Sequence, residues 1–119
     1  MNFDDKKILI QTQTGSVLIA LNDIIYCRGA GSYTELILAS DRKILSSNLL
    51  KEFELILTLP NKKFFRLHRS FLVNIDHIME FRSVSAKKVI MAGLIEIPVS
   101  HRKSKEFLRL MKGHYLHLS

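Results

Sequence analysis

The residues best equipped for chemistry stand in two short clusters. His68, Arg69 and Ser70 interrupt an otherwise apolar run from Phe64 to Ile75, and Ser100, His101, Arg102 and Lys103 follow the apolar segment Ile95 to Val99. A serine beside a histidine suggests nucleophilic catalysis. That chemistry also needs an orienting group, and neither cluster brings paired carboxylates, a nucleophile elbow or a glycine-rich phosphate loop. No enzyme activity is therefore expected. His114 and His117 have helical spacing for two metal ligands, but no third ligand stands nearby, so a solvated tail is the better reading and neither a metal nor a cofactor is expected. Cys27, the single cysteine, lies in the apolar run Ile24 to Cys27 and reads as a small strand side chain. What remains is recognition: a guanidinium fixed on a rigid turn can read the hydrogen-bond pattern of another molecule.

Alternation supplies the rigid base. Phe65 and Leu67 fall on one face of a strand, with Phe64, Arg66 and His68 on the other, and Phe71, Val73 and Ile75 share a face of the next strand. The two strands form a hairpin whose tip is basic. A hairpin with a merely solvated polar turn is the plainer alternative, and the rest of the chain decides between them.

The other elements follow from turn chemistry and periodicity. Strands are predicted over 7–12 and 16–20 around Thr14 and Gly15, over 24–28, over 33–38 after the interruption Gly29 to Ser32, and over 43–45. Further strands are predicted over 78–82, 87–91 and 94–98, with Ala92 and Gly93 turning the last pair. Ser46, Ser47 and Asn48 offer caps for a short helix with Leu49, Leu50, Phe53, Ile56 and Leu57 near one face, ended by Pro60 and Asn61. Ser100 is the expected cap of a final helix whose apolar stripe is Phe107, Leu108, Met111 and Tyr115. His101, Arg102 and Lys103 then crowd the positive end of that helix dipole, an unfavourable arrangement that a docked phosphate would reverse.

Length and charge set the frame. A chain of 119 residues has room for one ordinary domain, taken as residues 1–119, and its 47% hydrophobic and 24% charged residues suit a globular chain. No apolar run is long enough to span a bilayer, and the first residues lack the plan of a signal peptide, so a cytoplasmic location without membrane association is expected. The net charge of +7 is unevenly placed: residues 1–61 carry −1 and residues 62–119 carry +8. A concentrated basic field points to a polyanion such as nucleic acid.

Three segments together carry a family resemblance. Ile24, Ile25 and Tyr26 followed by Gly31, Ser32 and Tyr33, then the run Phe65 to Asn74, then Ile97 to Ser100, resemble LytTR DNA-binding domains in order and spacing over nearly the whole chain. The central His-Arg-Ser-aromatic-aliphatic-Val-Asn run is the specific part. The resemblance implies a mainly β fold, an elongated arrangement of small packed antiparallel sheets of about ten short strands, with a short middle helix and a C-terminal helix. It further implies the output domain of a bacterial transcription regulator that reads successive major grooves of double-stranded DNA through three loops. Carried over, these are Ser32 and Tyr33, then His68, Arg69 and Ser70, then His101, Arg102 and Lys103. Family members commonly occupy paired sites, so two copies on a repeated site are expected, and a receiver or sensor domain would lie outside this chain.

Within that frame Arg69 is the expected base contact, because a guanidinium pairs bidentately with guanine N7 and O6. Lys62, Lys63, Arg66, Lys103 and Lys105 are expected to meet phosphates. Asn74 and His68 are expected to shape the protein itself. The family often carries arginine directly after the Val-Ser step, where this chain has His101. The competing reading is a basic β domain that binds RNA or docks a protein. RNA platforms stack bases on exposed aromatics, and only Tyr33 and Phe64 are candidates here.

Overall fold

Strands β3 (Ile24–Ala30), β4 (Tyr33–Leu38), β5 (Lys43–Ser46), β6 (Phe64–His68) and β7 (Phe71–Asn74) form one antiparallel sheet in the order β5-β4-β3-β7-β6. The structure is a computed structural model and describes residues 6–58 and 63–118. Alternation along these strands places apolar side chains on both faces, so each face needs a cover. Ile24, Cys27, Leu36, Leu38, Ile44, Phe64 and Leu72 pack under the hairpin β1 (Lys7–Thr12) and β2 (Gly15–Ala20) and under helix α1 (Leu50–Thr58). Ile25, Phe65, Leu67, Val73 and Ile75 pack against the small sheet β8 (Ile78–Arg82), β9 (Lys88–Met91) and β10 (Ile95–Pro98) and against helix α2 (Ser104–His114). Phe107 of α2 is fully buried there, its ring 5.9 Å from Phe65 and 5.3 Å from Phe81. The fold is mainly β and elongated, 47 × 33 × 24 Å, as expected.

Several local expectations are corrected. Strand β3 runs on through Gly29 and Ala30, so only Gly31 and Ser32 make the turn. A bulge after Ile24 sends Ile24 and Cys27 to one core and Ile25 and Tyr26 to the other. Cys27 is fully buried, and burial pushes its thiol well above the ordinary range, which suits a core side chain. Phe64 is buried, not exposed. Helix α1 buries Leu50, Phe53 and Leu57, whereas Leu49 and Ile56 are exposed. Its first turn is closed by Glu52, whose carboxylate accepts from the Leu49 amide at 2.8 Å, half of a capping box. Ser100 makes no side-chain cap; a 3-10 turn (His101–Lys103) intervenes, and α2 starts at Ser104. In α2 the apolar stripe is Phe107, Leu110 and Met111, with Leu108 exposed. Pro60 and Asn61 lie outside the described residues.

Two polar residues join distant parts. Asn74 is fully buried, donates from Nδ2 to the Ile24 carbonyl at 3.1 Å, and accepts from the Asp76 amide at 3.0 Å. Asp76 lies 2.6 Å from Lys63 Nζ and also accepts from the Tyr115 hydroxyl just past α2. Burial pushes the Asp76 carboxyl up, but Lys63 and Tyr115 outweigh it and hold the group below its ordinary range.

Asn74→Ala removes both bonds and strands the Ile24 carbonyl at a buried site, so it is expected to cost about 1 to 3 kcal/mol of unfolding free energy in a denaturant titration. Because the folded-state pKa of Asp76 is depressed, its stabilising contribution is present at neutral pH and is lost as pH falls through that folded value. Denaturation measured from pH 7 downward should therefore show Asp76→Asn less stable than the parent at neutral pH, with the gap closing in strong acid.

Candidate nucleic-acid interface

Three turns far apart in sequence are brought to one end of the central sheet. Gly31 and Ser32 join β3 to β4, and Gly31 has φ of 68°, the conformation that a type II′ hairpin turn takes at its first central residue. That turn matches the twist of its strands unaided, and it leaves Ser32 and Tyr33 exposed. Arg69 and Ser70 join β6 to β7, and neither has a positive φ. Turns of that kind splay their strands, so side chains must brace them.

The braces are present. His68 Nδ1 accepts from the Ser70 amide at 3.1 Å, which places His68 inside the turn as expected. Arg66 donates from Nε to the His68 carbonyl at 3.0 Å and from Nη2 to the Arg69 carbonyl, while its Nη1 meets Glu54 Oε1 of α1 at 2.7 Å. Arg69 itself is exposed, and its side chain has no partner among the described residues.

Main-chain bonds tie the three turns together. The Gly29 amide donates to the Ser70 carbonyl at 2.9 Å, linking the first turn's strand to the second turn. A bulge in β6 between Arg66 and His68 takes Leu67 out of register with β7, and the Leu67 carbonyl accepts from the Ser100 amide at 2.9 Å. The third turn is thereby fastened to the base of the second. Within it Ser104 Oγ donates to the His101 carbonyl at 3.1 Å and meets Lys87 Nζ at 3.0 Å. His101 and Arg102 are exposed. Lys103 packs over the Phe65 ring at 5.6 Å and lies 3.7 Å from Glu106.

The cations thus divide. Lys63, Arg66 and Lys103, all expected to be free for phosphates, have intramolecular partners. Arg69, Arg102 and Lys105 have none among the described residues, and Lys62 lies outside those residues. Sequence reasoning missed Glu54 and Lys87, because their partners are 12 and 17 residues away and no local pattern reports such a contact. No helix among the described residues is long and apolar enough to cross a membrane.

The family model of the LytTr DNA-binding domain matches residues 5–112. The transcriptional regulatory protein YpdB of Escherichia coli O6:H1 is 32% identical over 98 residues, 80% of this chain and 39% of YpdB. The sensory transduction protein LytT of Bacillus anthracis is 28% identical over 108 residues, 89% of this chain and 43% of LytT. The chain therefore spans about two fifths of the length of these relatives. A solved LytTr DNA-binding domain from Bacillus cereus superposes with a TM-score of 0.74 at 25% identity, covering 90% of this chain and 97% of that one. With residues 5–112 of the chain matched by the family model and 90% of the chain matched in fold, the chain belongs to the LytTr family of DNA-binding domains.

Proposed function

We propose that this domain reads specific base pairs of duplex DNA, as the output part of a bacterial transcription regulator, through the three turns that meet at one end of its central sheet. The observation that carries this reading is the main-chain tie between them: Gly29 to Ser70 and Leu67 to Ser100. Three anchored turns with exposed Arg69 and Arg102, both without a partner among the described residues, can follow successive major grooves along one face of a duplex. Arg69 supplies the bidentate base contact. Ser32, Tyr33 and Ser70 contact phosphate or base edges beside it, His101 and Arg102 serve the third groove, and Lys62 and Lys105 add phosphate contacts that set register.

The relatives support the wider role. They are named as transcriptional regulatory and sensory transduction proteins, and they are more than twice as long as this chain. A receiver or sensor domain elsewhere in the polypeptide would then control the reading, and two copies would occupy a repeated site. An RNA platform fits less well, since burial of Phe64 leaves Tyr33 as the only one of its two stacking candidates.

Selection of binding sites from random duplex DNA should return a repeated half-site. Arg69→Ala should cost about 1 to 3 kcal/mol on the selected duplex and relax preference at one base position. An Arg69→Ala protein with unchanged affinity and unchanged base preference would overturn the central assignment. Lys105→Ala should weaken binding evenly across sequences and lower the slope of log K against log salt by about 1. In competition at fixed salt the selected duplex should displace bound duplex far better than single-stranded RNA, and the reverse order would favour the RNA reading.

A further inference from the structure

We infer that Glu54 and Arg66 are positioning residues for base selectivity, so that helix α1, which supplies none of the three reading turns, sets the conformation from which Arg69 reads. The inference rests on the proposed function and assigns a task to a pair that this function leaves without one. Its first ground is the turn itself. Arg69 and Ser70 lack the positive φ values that let a two-residue hairpin loop match the twist of its strands, so the turn does not hold its own shape. The first turn, with Gly31 at φ of 68°, has no such need, and no side chain among the described residues is bonded to its carbonyls.

The second ground is what holds the turn. The Arg66 guanidinium binds two consecutive carbonyls of the turn, those of His68 and Arg69, through separate nitrogens. A planar fork that grips two peptide units fixes their relative orientation, and hence the direction in which the Arg69 side chain leaves the backbone. His68 adds the bond from its Nδ1 to the Ser70 amide.

The third ground is what holds Arg66. Its remaining arm meets Glu54 at 2.7 Å, with side-chain exposures of 21% for Arg66 and 36% for Glu54. A pair this shielded is less screened than a surface ion pair. Without the carboxylate, a cation beside the reading turn would have phosphates as its best alternative partners, and it would leave the carbonyls to reach them. Glu54 is itself on a fixed support. It lies between Phe53 and Leu57, which are buried in the core that α1 shares with the sheet. Selectivity and overall affinity are thereby separable. Glu54 withholds one cation from the DNA and uses it to shape the residue that reads.

The test uses the 119-residue chain, the duplex selected by the parent protein, single-base variants of it, and a random-sequence duplex. Glu54→Gln keeps shape and removes charge; Arg66→Lys keeps charge and removes the fork. Both should lower discrimination at the base read by Arg69 by about three- to ten-fold. Affinity for the random-sequence duplex should hold or rise with Glu54→Gln, and should change less than about two-fold with Arg66→Lys. In an Arg69→Ala background neither change should lower discrimination further, because all three residues act through one contact. Hydrogen exchange at the Ser70 amide should quicken in both single variants while exchange in β9 stays as in the parent, which separates a loosened turn from a loosened fold. If Arg69→Ala loses the base preference but Glu54→Gln and Arg66→Lys keep it, or if they weaken cognate and random duplexes equally, the positioning role is wrong and the reading function stands. If Arg69→Ala keeps the preference, or no consensus is selected, the function itself fails and this inference fails with it.

Discussion

The central sheet is buried on both faces, and the placement of the turns at its end depends on that. Burial on one face penalises a slip of one residue, because every apolar side chain would move into water. Burial on both faces weakens this penalty: Phe64 and Phe65 would merely exchange cores. Register in β6 and β7 must then be specified by groups that tolerate only one place. Asn74 is such a group, fully buried with both ends of its amide bonded, and it lies opposite Phe64 in the ladder. Arg66 is another, since a slip would turn its guanidinium from Glu54 into the second core. The apolar residues make the sheet stable, and a few polar ones make it unique.

The same economy governs charge. In residues 62–119 every acid is in an ion pair: Asp76 with Lys63, Glu80 with Arg82, Glu96 with Lys88, and Glu106 with Lys103. Arg66 takes its carboxylate from the other half of the chain. The exposed ones, Glu80 with Arg82 and Glu96 with Lys88, contribute little stability, but all these pairs decide where positive charge is left over. What is left includes Arg69 and Arg102 in the turns and Lys105, Arg109 and Lys112 along α2. The surplus that the sequence shows as a property of a whole half is thus, in space, a property of particular positions.

The legible parts of the sequence were those with a local cause. Alternation located the strands to within two residues, Gly31 and Gly93 marked turns that need a positive φ, and the His68 to Asn74 run marked the hairpin. The turn cations were legible as an anomaly, positive charge before a helix that repels it. Other features escaped because their cause is distant. Phe64 looked exposed by alternation against Phe65, since nothing local says that a second core covers the opposite face. Arg66 looked available for DNA because Glu54 is 12 residues away. Ser100 looked like a cap, yet its backbone amide is taken by Leu67 and the 3-10 turn postpones the helix by one turn.

That 3-10 turn bears on the histidine in the third turn. With three residues per turn, the side chains of His101, Arg102 and Lys103 leave the axis about 120° apart. Lys103 is turned inward over the Phe65 ring. His101 and Arg102 must therefore flank the outward direction on opposite sides, and both are exposed there. An arginine at position 101 would present a second fork on its side of the axis. With histidine in that place the longer reach and the permanent charge lie on the Arg102 side. The outward positive charge of the third turn is thereby shifted to the Arg102 side, while its anchor, the Leu67 carbonyl freed by the bulge, stays where the second turn put it.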